Sequence, residues 1–439
     1  MKKSPASGSK KRLFHQSLRR LFSFFPKSIR FAIYRSFVDG DPKPDPLLML
    51  KIAETREELE ACFKLLHDAY VGSGFMQPDP SGMRATIYHA LPTTTTLCAK
   101  FDGEVVGTMS LIRESAFGFP LQAIFDLSQV RAKGGKIAEV SALAVHPKFR
   151  KTGGAILFPL MKFMYQYCTT FFDTRHLVIA VNPNRIDMYE SLLIFQRLTE
   201  NTVANYDFAN GAPAVGASLD LRDAPAIYKK VYNGKSRRKN LYHYFTKLKL
   251  PNIILPGRRY FMTNDPVMTP ELLDYFFNQR TKVFVSLDER DKTLLHSIYD
   301  LPEYRPILPI GFSDSVSSQL MRQHKRYSFK CSGIFNIQVK GESEAHELTV
   351  FECSEYGFLA SSKTPLATQV WGDAVIQLGK WERSRFKAQA VGAKKEAGFY
   401  GFKLVEPDLA WRKFVSALQS GQTHEDMTNA TQFLGKWQT

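Results

Sequence analysis

Acid is what the opening of this 439-residue chain lacks: no Asp or Glu precedes Asp39, while Lys2, Lys3, Lys10, Lys11, Arg12, Arg19, Arg20, Lys27, Arg30 and Arg35 do. Cysteine is scarce too. Cys62, Cys98, Cys168, Cys331 and Cys353 are odd in number, and no two stand in a C-x-x-C spacing. That excludes a disulfide framework and a thiolate zinc site, no metal is expected, and a reducing cytosol suits the five thiols. No segment approaches the roughly 18 uninterrupted apolar residues that a membrane span needs. There is no G-x-S-x-G elbow, and Ser141 and His146 have no paired acid in a recognisable context, which sets nucleophilic hydrolysis aside. What is present is a globular composition, 44% hydrophobic and 23% charged. The length leaves room for two or three domains of roughly 100–200 residues, and the net charge of +17 calls for an acidic partner.

Much of that charge lies in residues 1–46, a basic arm and linker. Phe14, Leu18, Leu21, Phe22 and Phe25 recur at helical spacing up to Pro26, and Ile29, Ile33 and Phe37 begin a second such face. Lys27, Arg30 and Arg35 break the apolar core that an export signal beginning at Arg19-Arg20 would require. A basic amphipathic arm of this kind lies on an anionic membrane surface, so residues 1–37 are expected to attach the chain peripherally. The linker Asp39-Gly40-Asp41-Pro42-Lys43-Pro44-Asp45-Pro46 sustains no regular element.

Residues 47–220 read as one domain. A strand over 47–52 leads to a helix opened by the capping box Thr55-x-x-Glu58. Strands at 95–101 and 104–112 flank the turn dipeptide Asp102-Gly103. A strand over 137–145, carrying the single acid Glu139, runs through a basic, glycine-rich turn into a helical pattern from Ile156. A strand at 177–181, a helix over 186–195 and a strand at 214–219 follow. Backbone N–H groups and a helix N-terminus meet at that turn, which suits a phosphate.

The spacing Arg150-x-x-Gly153-x-Ala155 resembles the acyl-donor signature of the Gcn5-related N-acyltransferases, and the element order is similar to theirs. The block at 121–126, the strand Ala138-Glu139-Val140-Ser141-Ala142-Leu143-Ala144-Val145 and the spacing Asn182-x6-Tyr189-x5-Phe195 resemble the long-chain N-acyl amino acid synthases and, more distantly, the acyl-homoserine lactone synthases. Those families carry arginine where Ala142 stands. The resemblance implies a mixed sheet with helices, a donor that is acyl carrier protein or acyl-CoA, and an amine acceptor. It places the donor's phosphopantetheine at Val145, Arg150, Gly153, Gly154 and Ala155. The attacking amine must lose a proton, for which Glu139 is the candidate base. N–H groups near residues 143–145 would face the oxyanion. Tyr189 stands where similar enzymes place a tyrosine that protonates the departing thiolate.

Residues 221–310 read as a basic, mostly helical connector. Between 224 and 264 there is no acid, and Tyr228, Tyr232, Tyr242, Tyr244, Phe245 and Tyr260 alternate with lysines and arginines. Single-stranded nucleic-acid binders show such interleaving, but no stacking module is visible. A surface for anionic lipid or for acidic acyl carrier protein is the expectation.

The last domain, 311–420, precedes a tail over 421–439. Short strand patterns at 327–339, 374–378, 386–391 and 401–404 and a terminal helix over 409–418 predict a small β-barrel. Arg322-x-x-x-Arg326, followed by Glu352-x-Ser354-x-x-Gly357, resembles the PilZ domain, the bacterial receptor for cyclic di-GMP; Glu352 stands where that family prefers Asp or Asn. Two guanidinium forks suit a ligand with two phosphates and guanine edges. The whole chain therefore reads as an α+β protein: an acyltransferase sheet, a helical connector and a PilZ-type barrel. The expected activity is acyl transfer from acyl carrier protein or acyl-CoA to an amino-acid amine under cyclic di-GMP control, at the inner face of a bacterial cytoplasmic membrane. An acetyl-CoA-dependent N-acetyltransferase and a non-catalytic cyclic di-GMP effector are the alternatives.

Overall fold

The computed structural model describes residues 25–150, 152–206, 208, 211–255, 268–299, 303–309, 327–339, 342–379, 382–393 and 398–419. The helical face from Phe14 to Phe22, Arg258, Arg259, Tyr260 and the pair Arg322 and Arg326 lie outside the described residues.

Helix α1 (Lys27–Ser36) starts directly after Pro26, whose fixed backbone ends the preceding pattern. None of its residues is buried. It is held by charge: Arg30 meets Asp187 at 2.5 Å and Arg35 Nε donates to the Ser191 carbonyl at 3.0 Å. Phe25, Ile29 and Phe37 stay exposed, Phe37 at 75%.

An eight-stranded mixed sheet follows, built from β1 (Leu48–Ile52), β2 (Thr94–Phe101), β3 (Glu104–Arg113), β4 (Lys136–Val145), β5 (Thr174–Val181), β6 (Gln196–Arg197), β7 (Val203–Tyr206) and β8 (Ala212–Asp220). The order is β1-β2-β3-β4-β5-β8-β6, with β7 on β8; β4 and β5 are parallel and the other pairs antiparallel. Asp102 and Gly103 both take positive φ, which gives the β2–β3 turn a twist that matches its strands. Helix α2 (Arg56–Ser73) begins at the Thr55–Glu58 capping box. Glu58 does more than cap: Lys51 and Lys100 reach its carboxylate at 2.7 and 2.9 Å, tying the helix to β1 and β2. Short helices α3 (Ile87–Ala90) and α4 (Ser128–Ala132) lie in the loops before β2 and β4. Helix α5 (Leu157–Phe171) packs on one face of the sheet, and α6 (Pro183–Leu192) follows β5. Where the pattern predicts a helix over 186–195, the helix starts three residues earlier, because Asn182 caps it and Pro183 occupies its first turn.

The connector grips both faces of the sheet. Its first half, α7 (Ala224–Val231) and α8 (Leu241–Thr246), joins the core under α5, where Tyr228, Tyr232, Tyr244 and Phe245 are all buried. Its second half, α9 (Pro270–Leu273), a π-helical run Asp274–Arg280 and α10 (Glu289–Ile298), packs Leu273, Phe276, Phe277 and Phe284 against Leu59, Phe63 and Leu66 of α2. Between them the chain runs beside β1: Leu50 N–H donates to Asn252 O at 2.9 Å and Ile254 N–H to Leu50 O at 2.8 Å. Tyr228, Tyr232, Tyr244 and Phe245 therefore face inward while Lys229, Lys230, Lys235, Lys247 and Lys249 face solvent. What this stretch shows to solvent is therefore its basic side chains. Apolar rings and cations at helical spacing separate onto opposite faces of one element.

Strands β9 (Tyr327–Val339), β10 (Glu342–Ser354), β11 (Gly357–Ser362), β12 (Val370–Gln377), β13 (Arg383–Ala393) and β14 (Phe399–Leu404) close an antiparallel barrel in the order β10-β11-β14-β13-β12-β9. Helix α11 (Leu409–Gln419) stoppers it with Trp411, Phe414 and Val415. The sequence pattern gives β9 at its full length, but it picks out fewer of the other strands and makes those shorter. In β10 the acids Glu342, Glu344 and Glu347 alternate with the small or apolar residues, so the strand has little apolar character to read.

Candidate active site

Strand β4 lies at the centre of the sheet, and its geometry makes the site. Ala138 and Val140 pack toward the α5 core while Ile137 packs toward the core on the opposite face. Alternation therefore sends Glu139 to that opposite face. The β3 register then skips between Thr108 and Ser110, leaving Ala142 and Leu143 opposite Met109 alone, and Ala142 takes φ +53°. After this bulge the parity reverses, and Leu143 and Val145 pack toward α5. On its other side β4 pairs with β5 only as far as Glu139 and Val178. Beyond that pair the two parallel strands diverge.

The gap is a cavity of about 440 Å³ that passes through the sheet. Both diverging edges line it: Val140, Ser141, Ala142, Leu143 and Val145 from β4, and Ile179, Ala180 and Val181 from β5. Apolar side chains from α5, including Met161 and Met164, continue the wall on one face. Glu139, Tyr206 and Phe208 line it on the other.

Glu139 is 2% exposed and accepts one hydrogen bond, from the Leu121 backbone N–H at 3.0 Å. Burial pushes its carboxyl up to about 8, against the smaller opposing pull of that N–H. Leu121 belongs to the 121–126 block singled out in the sequence, so the block's place is beside this carboxylate. Tyr189, on α6, lines the same cavity, and burial pushes its phenol up to about 12, so it keeps its proton at neutral pH. Tyr206 is not legible in the sequence as a site residue, because it ends a four-residue strand with no apolar alternation. It is 3% exposed, its hydroxyl has no hydrogen-bond partner among the described residues, and it lines the cavity. A buried, unpartnered hydroxyl beside a cavity leaves a polar group for a ligand to satisfy.

The turn after β4 is anchored to the cavity rim. Arg150 Nε donates to the carbonyl of Val145 at 2.8 Å, which holds the strand end and the turn together. Gly153 and Gly154 take φ +67° and +92°, and an added Cβ on Gly154 would strike the Phe158 ring. Glycine is therefore required at Gly154 on both counts. Ala155 follows in the turn that leads into α5, and its N–H donates to Thr152 O at 3.3 Å. His146 shapes the chain locally, its Nδ1 accepting the Lys148 N–H at 3.3 Å.

In the barrel, Glu352 lies at a register shift of β10, and Ser354 Oγ donates to Gly357 O at 3.2 Å across the β10–β11 turn. A Cβ on Gly357 would come 2.7 Å from the Phe402 carbonyl oxygen, so this position too accepts only glycine. Trp411 Nε1 donates to Ser354 O at 3.0 Å and closes the turn from inside. The structure places Ser354 and Gly357 on either side of the β10–β11 turn and Glu352 two residues before it on the same hairpin; their expected partners Arg322 and Arg326 are not among the described residues. Glu139, Tyr189 and Val145 share the other site.

Residues 61–220 match the family model of the N-acyl amino acid synthase FeeM. No curated protein matches the chain. Among solved structures, FeeM, an N-acyl amino acid synthase from uncultured soil microbes, is 24% identical, with a TM-score of 0.35; the match covers 42% of this chain and 95% of that one. The CoA-dependent acyl-homoserine lactone synthase BjaI, solved with SAM and isopentyl-CoA, is 18% identical with a TM-score of 0.31, covering 42% and 89%. The AHL synthase LasI is 15% identical with a TM-score of 0.31, covering 40% and 90%. The segment that carries this likeness, residues 61–220, matches the model of the FeeM N-acyl amino acid synthase family and is set in a chain more than twice its length.

Proposed function

We propose that the chain transfers a long-chain acyl group from the thioester of acyl carrier protein or coenzyme A to the amine of an amino acid. The observation that supports this best is the apolar cavity of about 440 Å³ running through the β4–β5 gap beside Glu139. An acetyl group needs no such volume; a fatty chain does.

In this reading the pantetheine arm enters along the diverging strand edges, with its phosphate at the turn of Arg150, Gly153, Gly154 and Ala155. The amine attacks the thioester carbonyl, the C–N bond forms, and main-chain N–H groups near Leu143 to Val145 receive the oxyanion. Ionised Glu139 takes the amine proton, directly or through a water. The C–S bond breaks and Tyr189 gives its proton to the thiolate. The exposed lysines of α7 and the 247–249 segment suit an acidic carrier protein. The test is mass spectrometry of lipid extracts from a bacterial host expressing the wild type or Glu139→Ala at equal level. New N-acyl amino acid masses are expected in the wild type alone; their absence there sinks the long-chain reading.

Two further functions belong to the same proposal. The barrel binds cyclic di-GMP through Arg322, Arg326, Glu352, Ser354 and Gly357, and the ligand regulates transfer. Calorimetry should give binding that Arg322→Ala or Arg326→Ala weakens at least tenfold; no heat with the wild type ends this part. The arm binds the cytoplasmic face of an anionic membrane, supported by the outward Phe25, Ile29 and Phe37 of a helix region whose arginines are already paired. Co-sedimentation with phosphatidylglycerol vesicles should fall when these three become serine, and equal sedimentation would refute it.

A further inference from the structure

Part of the cavity wall comes from outside the family-matched segment. Beyond residue 220, Ala224, Pro225 and Tyr228 of α7 and Phe245 and Thr246 of α8 line it. Ala224, Tyr228 and Phe245 lie in the core under α5, on the sheet face opposite Glu139. A chain entering between β4 and β5 from the reacting end therefore runs toward them. Tyr228 and Phe245 are 6% and 8% exposed, and their ring centroids stand 5.9 Å apart. Tyr165 of α5 meets Phe245 at 6.2 Å, so three aromatic rings close that end.

This wall is fixed rather than adaptable. Tyr228 stacks on Tyr232 at 5.9 Å, and the Tyr232 hydroxyl donates to Leu192 O at 2.8 Å. Helix α8 is capped by Asn240, which accepts the His243 N–H at 3.0 Å. Lys162, a fully buried lysine of α5, donates through Nζ to Tyr244 O at 2.8 Å and to Phe245 O at 3.1 Å. A lysine buried in a core is costly unless its donors are used. Here they clamp the main chain at the very residue whose ring ends the cavity.

We infer that Tyr228 and Phe245 are specificity-determining residues, the connector supplying a fixed end wall that sets how long an acyl chain the cavity accepts. The inference rests on the long-chain reading above and adds to it a limit on chain length that comes from the connector. Each methylene buried before the wall is reached should strengthen binding about fourfold. Past the wall, further methylenes must remain in water or displace packed rings, and affinity stops rising or falls.

The experiment uses the full chain and a series of saturated acyl-pantetheine thioesters, hexanoyl to octadecanoyl, the portion common to carrier-protein and coenzyme A donors. Dissociation constants are measured for wild type, Phe245→Leu, Phe245→Trp and Tyr228→Leu. The wild type should show a length of tightest binding, Phe245→Leu and Tyr228→Leu a longer one by about two carbons, and Phe245→Trp a shorter one. Phe245→Trp keeps the core filled, so an informative arm survives if a smaller side chain unfolds the protein. The same optimum in the wild type and every folded variant, or binding indifferent to length in the wild type, overturns the inference. Products from the same preparations separate the two readings. A length optimum that moves without any N-acyl product leaves the wall and removes the transfer reaction; products of invariant length do the opposite.

Discussion

Glu139 is a carboxylate placed where its charge is disfavoured. A carboxyl held up near 8 is mostly protonated at neutral pH and becomes a base only as pH rises. The rate of acyl transfer should therefore climb through about pH 8, and Glu139→Gln should lose on the order of 10²–10⁴-fold in kcat together with that inflection. Stability must respond with the opposite sense. The folded state keeps a proton that the unfolded chain releases near 4.5, so folding loses free energy as pH rises from about 4.5 to about 8 and no more above it. Thermal melts should show the wild type falling relative to Glu139→Gln over that window; parallel curves would mean that the carboxyl is not held in this way. Glu139 is legible in the sequence as a lone acid in an apolar strand. Its partner, the Leu121 N–H, is not, because a main-chain donor 18 residues away leaves no mark on composition. Tyr206 is invisible for a related reason: what marks it is a hydroxyl buried at the cavity without a partner among the described residues, which only the folded chain reveals.

The hairpin at Asp102-Gly103, the capping box at Thr55 and the glycine turn before α5 are elements whose chemistry is local, and each is readable from neighbouring residues alone. The β4 bulge is different. Ala142 at φ +53° is no turn residue, and nothing in Ser141-Ala142-Leu143 announces a change of parity. The bulge arises where β3 supplies one residue against two, which is a property of the pairing. The connector is half legible: its helices show in the sequence, but the direction of its rings does not, and with that direction goes the far wall of the cavity. Lys162 is the simplest handle on that packing. Lys162→Ala strands the carbonyls of Tyr244 and Phe245, at about 1–3 kcal/mol each, and should lower the melting temperature by several degrees. Burial lowers the lysine to about 8 from its usual 10.5. The unfolded chain then binds the extra proton between those values, so wild-type stability should rise with pH from about 8 to 10.5. Lys162→Met should remove that rise while sparing most of the packing; a rise that persists in Lys162→Met would assign it to another group.

At the scale of the molecule the cores differ in how the chain builds them. The barrel's is made wholly of residues 331–415, with Trp411 at 0% exposure as its stopper. Those of the sheet draw on residues 38–308, well beyond the matched segment on both sides. A fragment spanning 327–419 should accordingly give a cooperative melt with a β-type circular dichroism spectrum. The 61–220 segment alone, lacking β1 and the aromatic rings of α7 and α8, should not; a sharp melt from it would show that the connector is dispensable. The run beside Leu50 adds a consequence for handling the protein. Strand β1 is at the end of the sheet, and Asn252 and Ile254 use the hydrogen-bonding groups of Leu50 that face outward. A polypeptide ending before Asn252 would carry a bare strand margin able to template a neighbour's. In concentrated preparations such a truncation should grow thioflavin-positive fibres, and the length of the recombinant product, not its buffer, would decide whether it stays clear.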